Sequence, residues 1–202
     1  MALRRRRLIV SALALANSAL LAGCDQRPPA PQFKAIDITG AEYARDFELD
    51  DSEGKRRRLA DFKGKVTVVF FGFTQCPDVC PATMLELAEV KKALGADGQR
   101  VQGIFITIDP ERDTAAVLKA YVSNFSPDFV ALRGNVDETK AVAKQFKVFY
   151  AKVPGKGDGS YTMDHTAGSY VFDTQGRIRL FTRHGTGTEA LLHDLRLLLA
   201  QA

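Results

Sequence analysis

The chain has 202 residues, 46% hydrophobic and 26% charged, with 28 Lys plus Arg against 24 Asp plus Glu. That length suits one domain with a full core plus extensions, and it needs no dense disulfide framework to fold. Four of the basic residues, Arg4 to Arg7, lie in residues 1–23, which hold no acid, so the rest of the chain balances its 24 acids with as many bases. A nucleic-acid-binding role, which needs a net basic face, loses its electrostatic support.

Residues 1–23 read as a secretory signal, with Arg4 to Arg7 as the positive start, Leu8 to Leu21 as the apolar stretch and Ala22 and Gly23 as the small-residue close. The apolar stretch is too short and alanine-rich for a permanent span. Leu21-Ala22-Gly23-Cys24 resembles the bacterial lipoprotein box, which implies cleavage before Cys24 and lipidation of that cysteine. An ordinary signal peptide followed by a chance cysteine is the plainer alternative. Several acyl chains anchor a protein stably, and Asp25, by the same resemblance, implies retention at the inner membrane. Residues 24–35, with Pro28, Pro29 and Pro31, then form a lipidated cysteine and a semi-rigid tether of about 3 Å per residue. Residues 36–202 form the folded domain.

Phe47 and Leu49, the turn Asp50-Asp51-Ser52-Glu53-Gly54 and Arg56 to Leu59 predict a β-hairpin. Its Lys55, Arg56, Arg57 and Arg58 read as a solvated arm, with anionic lipid headgroups as the other contact such a cluster could make. Val66 to Phe71 is the β-branched and aromatic run of a buried central strand, ended by Gly72. A helix begins near Pro81, which a first turn tolerates, and carries Met84, Leu87, Ala88 and Val90 at helical spacing. Val101 to Ile108 predicts a second strand, and a helix over 113–125 takes Asp113 or Thr114 as its cap. A short strand over 129–132, a helix over 136–146 and an extended piece over 148–150 follow, then a flexible glycine-rich loop over 154–160. Tyr161 to His165 leads into a hairpin of 169–172 and 178–181, and the last helix sets Leu191, Leu192, Leu195, Leu198 and Leu199 on one face. Alternating strands and helices argue for an α/β fold with at least one parallel crossover.

Cys76 and Cys80 stand at the junction of the central strand and its helix. They close too small a loop for a structural staple, so the pair is there for chemistry. A helix N-terminus favours the thiolate, and the four-residue offset lets both sulfurs meet one ion or close a disulfide. Spacing alone leaves both open. His165 is the candidate third group, with an ordinary loop histidine as its competitor. Met163, two residues before His165, shares its strand face, so a thioether aimed at the site competes with the plainer reading as core filler. His184 and His193 read as solvent-exposed, and Asp78 as a tuner of the thiols, a partner contact or a loop residue.

Four blocks occur in one order: Gly72-Phe73-Thr74-Gln75-Cys76-Pro77-Asp78-Val79-Cys80-Pro81, Thr107-Ile108-Asp109-Pro110-Glu111-Arg112-Asp113-Thr114, Asp164-His165-Thr166 and Tyr170-Val171-Phe172-Asp173. On these the chain resembles the SCO/SenC family of copper-binding assembly factors for respiratory oxidases, in a bacterial lipoprotein form. The resemblance implies a thioredoxin-like fold, with a central mixed sheet flanked by helices and an N-terminal β-hairpin. It also implies one copper ion, as Cu(I) or Cu(II), held by Cys76, Cys80 and His165. The function that follows is a copper chaperone tethered at the periplasmic face of the inner membrane, serving the copper site of cytochrome c oxidase subunit II or a related oxidase. A copper donor and a thiol reductant are the further partners, because an oxidising periplasm must be overcome before the cysteines can load metal. On that reading the protein is not an enzyme. The alternative is a thiol-disulfide reductase in which Cys76 and Cys80 act on the oxidase's copper-site cysteines. Gln75 departs from the family pattern, where histidine or tyrosine is common, and the Asp109 to Thr114 block is assigned a turn and a helix cap. The proline and threonine spacing of peroxiredoxin-type sites is absent around both cysteines.

Overall fold

The computed structural model describes residues 32–201, so the signal, the lipoprotein box and Cys24 lie outside the described residues. The central strand forms where expected. Val66–Gly72 is buried at every position, as is Val101–Thr107, because both strands are covered on two faces. In chain order the strands are β1 (Ile36–Asp37), β2 (Glu48–Asp51), β3 (Arg56–Arg58), β4 (Val66–Gly72), β5 (Val101–Thr107), β6 (Val130–Arg133), β7 (Tyr150–Pro154), β8 (Tyr161–His165), β9 (Gly168–Phe172) and β10 (Ile178–Arg183). The helices are α1 (Val79–Ala93), α2 (Ala115–Ser123), α3 (Val136–Gln145) and α4 (Thr188–Ala200). Eight strands make one mixed sheet in the order β1-β10-β9-β4-β5-β6-β2-β3. Its centre is parallel, with Phe70 beside Phe105 and Phe105 beside Ala131, while β9 runs antiparallel to β4. This is a thioredoxin-like α/β fold, and the predicted N-terminal hairpin is β2 and β3 at its edge, with Leu49 opposite Arg57.

Local chemistry sets the helix ends. Thr114, not Asp113, caps α2, its hydroxyl accepting the Val117 N–H at 3.3 Å. Asn135 and Glu138 form a capping box on α3, each side chain accepting the other's backbone N–H, at 2.9 and 2.8 Å. That helix ends with Lys147 in the left-handed region (φ 56°), while the Val148 N–H reaches the Ala143 carbonyl at 2.8 Å.

The arginine arm of the hairpin is largely neutralised within the protein. Arg57 pairs with Asp51 at 2.7 Å, Arg56 with Glu138 at 2.6 Å and Arg58 with Glu48. On the last helix Leu191, Leu195, Leu198 and Leu199 face the core as expected, joined by Asp194, while Leu192 is only half-buried. Asp194 is buried because it is occupied. Its carboxylate accepts the backbone N–H of Lys34 at 2.9 Å and of Ala35 at 2.8 Å, pinning the chain just before β1 onto α4.

Residues 148–165 depart from expectation in a way that matters for the site. Instead of a short extended piece and a flexible loop, β7 and β8 pair as an antiparallel hairpin separate from the main sheet, with Tyr150 opposite His165. The glycine-rich segment is its turn, closed by Gly155 N–H to the Ser160 carbonyl (2.8 Å) and Ser160 N–H to the Gly157 carbonyl (2.9 Å). Glycines and short polar residues allow a tight reversal as readily as a loose loop, and pairing with β7 decides between them. His165 therefore sits on a strand, at the end of this hairpin.

Candidate metal centre

The site forms where the chain leaves β4. Gly72 is there for space: a Cβ on it would lie 2.8 Å from the Cys80 sulfur and 2.9 Å from ring atoms of Phe70 and Phe105. The chain then turns, Cys76 N–H donating to the Phe73 carbonyl at 3.2 Å, and enters α1 at Val79. Cys80 lies in the first turn of that helix and its sulfur is fully buried, whereas Cys76 is half-buried. The Cys80 backbone N–H points at the Cys76 sulfur, 3.4 Å away, so an otherwise orphaned helix-terminal amide meets the more accessible thiol. For Cys80 the expected favouring of the thiolate does not hold. Burial pushes this thiol well above its ordinary range, outweighing the hydrogen bond from the backbone at Phe73. Cys80 thus keeps its proton until something of positive charge replaces it.

His165 arrives from the hairpin, 85 residues from Cys80, and its Nε2 stands 3.6 Å from the Cys80 sulfur. Its Nδ1 lies 3.0 Å from the Thr166 carbonyl. A carbonyl only accepts, so Nδ1 carries the hydrogen and Nε2 presents its lone pair to the sulfurs. The rings of Phe70 and Phe73 meet the imidazole edge-on at 5.9 and 6.0 Å. Burial holds its pKa below the ordinary 6.5, so the ring is neutral at pH 7. The ligand atoms of Cys76, Cys80 and His165 all lie within 4.8 Å of one another. Two thiols and a neutral imidazole, with no carboxylate among them and phenylalanines around the imidazole, fit a soft transition metal and suit copper in either common oxidation state.

The structure also brings together residues that spacing did not single out. Asp113, buried, accepts from the Thr74 N–H (3.1 Å), the Thr74 hydroxyl (2.6 Å) and the Thr107 hydroxyl (2.6 Å), which ties the cysteine loop to the end of β5. Burial raises its pKa against the pull of those bonds. Arg112 bonds Asp109, stacks on Tyr161 and reaches Gln75 beside Cys76. The Asp109 to Thr114 block is therefore more than a turn and a cap. The available signal was Asp109, Arg112 and Asp113 within one short block, but their partners Gln75, Thr74 and Tyr161 lie 37 to 52 residues away. Met163 is buried core filler, as read. His184 is exposed, with its Nδ1 3.3 Å from the Thr83 hydroxyl, and His193 is exposed beside Asp194, so neither joins the ligand cluster. Asp78 is exposed at the N-terminus of α1.

A sequence profile described as SCO1/SenC matches residues 37–200. Among curated proteins, an SCO2-like protein of Rickettsia felis is 41% identical over 133 residues, which is 65% of this chain and 65% of that protein. The chain thus spans just under two thirds of the length of such relatives. Among solved structures, Bradyrhizobium japonicum ScoI with copper bound is 42% identical, with a TM-score of 0.69 over 76% of this chain and 97% of that one. The apo Sco1 protein of Thermus thermophilus is 36% identical, with a TM-score of 0.74 over 84% of this chain and 99% of that one.

Proposed function

The chain belongs to the SCO1/SenC family, and from that premise we propose that it is a copper chaperone, tethered through lipidated Cys24 at the periplasmic face of the inner membrane. It binds one copper through Cys76, Cys80 and His165 and passes it to the copper site of cytochrome c oxidase subunit II or a related oxidase. The observation that carries the reading is the convergence of two thiols and a tautomer-fixed imidazole within 4.8 Å. Copper bound to a relative at 42% identity supports copper as the metal. The lipoprotein box Leu21 to Cys24 supports the anchor, and no helix among the described residues is long and apolar enough to cross a membrane.

The residues divide the work. Cys76, half-buried, is the sulfur nearest a partner, and Cys80, buried, is the retaining one. Two soft thiolates hold Cu(I), and the imidazole nitrogen completes a set able to hold Cu(II) as well. With only three protein donors, the partner's own donors can enter. The test is copper uptake by the reduced protein from Ala30 onward, wild type against His165→Ala, read as stoichiometry and as thiolate-to-Cu(II) absorption. One copper per chain, with the Cu(II) band lost in the variant, is the expected result; absence of stable copper in the wild type overturns the reading.

The accessible and buried pair also favours a second role as a thiol-disulfide reductase. The Cys76 thiolate attacks one sulfur of a target disulfide, forming a mixed disulfide and releasing one target thiol. Cys80 then displaces the other, so the target gains two electrons as the Cys76–Cys80 disulfide forms. A periplasmic dithiol must re-reduce it. If His165→Ala keeps function in cells while either cysteine variant loses it, the reductase role is the operative one.

A further inference from the structure

The two halves of the cluster come from separate parts of the fold. The cysteines ride on the end of β4 and the start of α1, whereas His165 rides on a two-stranded hairpin that shares no ladder with the main sheet. Something must set the distance between them. At the His165 end the hairpin is closed by Phe149 and Thr166, which bond one another, and the chain runs on into β9. At its other end the hairpin is held from the loop after β5, where Arg112 and Asp109 both engage Tyr161 of β8 and Glu111 pairs with Lys152 of β7. The Arg112 Nη1 donates to the Tyr161 carbonyl at 2.8 Å and to the Gln75 side-chain oxygen at 3.0 Å. Its guanidinium lies 3.6 Å from the centre of the Tyr161 ring and 5.9 Å from that of Phe73. Its Nε bonds the buried Asp109, and Asp109 in turn accepts the Tyr161 hydroxyl at 2.9 Å. One planar cation thus grips the first residue of the histidine strand and the residue before Cys76.

On the copper reading above, we propose that Arg112 is a positioning residue that fixes the His165 strand against the cysteine loop, and thereby governs retention of Cu(II) more than of Cu(I). The reason is in the donor set. Two thiolates satisfy Cu(I) without help, while Cu(II), which prefers nitrogen and oxygen donors, depends on the imidazole being held in place. Lysine cannot replace the fork, because an ammonium offers neither the planar stacking face nor the bidentate geometry.

The test uses the full chain in detergent, reduced, as wild type, Arg112→Lys and Tyr161→Phe. Cu(II) binding is read from the thiolate charge-transfer band and Cu(I) binding by competition with a chelator. Amide exchange over residues 161–165 is measured without metal. Arg112→Lys is expected to lower Cu(II) affinity by about 10- to 100-fold, the usual range for loss of an outer-shell partner, and to leave Cu(I) affinity within about threefold. Residues 161–165 exchange faster in the same variant, and Tyr161→Phe shifts both readouts in the same direction by less. Equal loss of both ions, or unchanged exchange and unchanged Cu(II) affinity in a folded variant, overturns the proposal. A wild type that binds neither ion overturns the copper reading and the proposal with it, and faster exchange in Arg112→Lys then locates the failure in the metal and not in the clamp.

Discussion

At the residue scale, each candidate ligand owes its state to burial. His165 is held neutral by burial, with its Nδ1 hydrogen committed to the Thr166 carbonyl, so its Nε2 is free for a metal without proton loss. Cys80 is the opposite case: its raised pKa means that metal binding must expel a proton. The sign follows directly. Acidification favours the protonated thiol, so copper affinity falls as pH falls, by about tenfold per pH unit for the Cys80 proton alone. Competition titrations between roughly pH 6 and 8, where an ordinary thiol is still protonated, measure this slope. A flat profile contradicts a protonated Cys80. Gly72 belongs to this scale too. A glycine that looks like the punctuation of a strand is also the gap into which the Cys80 sulfur packs.

Among the elements, α3 and the β7–β8 hairpin show how local and tertiary forces share control. The capping box of Asn135 and Glu138 fixes the start of α3, and Glu138 also holds Arg56 of β3, so one side chain links the edge hairpin to the helix. Asn135→Ala removes the cap and is expected to destabilise the domain by about 1 kcal/mol, read as a lower urea midpoint with an unchanged slope. Copper binding stays as in the wild type, because the cap touches none of the three ligands. The hairpin was hidden in sequence because a run rich in glycine, with Lys156, Asp158 and Ser160, satisfies a loop and a turn equally well. Only its pairing across Tyr150 and His165 distinguishes them.

In the whole molecule, the two ends of the described chain are joined through Asp194. Its buried carboxylate answers the N–H groups of Lys34 and Ala35, so a segment with no secondary structure of its own is held against the last helix. Asp194→Ala leaves those donors without their charged acceptor. The expected cost is about 1.5–3 kcal/mol, with faster exchange of the Lys34 and Ala35 amides and an unaltered Cu(II) band. Loss of the band would tie this anchor to the metal site. The sequence by itself determined the α/β order, the buried central strands, the leucine face of α4 and, through four short blocks, the family, and it named the three side chains that the fold brings together. These are signals carried by neighbours along the chain, in strand and helix periodicity and in a cysteine pair within one turn. The tertiary structure decided what depends on distant partners. It raised the Cys80 pKa through burial, fixed the His165 tautomer on a separate hairpin, and placed Arg112 between Gln75 and Tyr161, 37 and 49 residues away. Burial and long-range hydrogen bonds exist only once the chain has closed on itself, so no local pattern could have carried them.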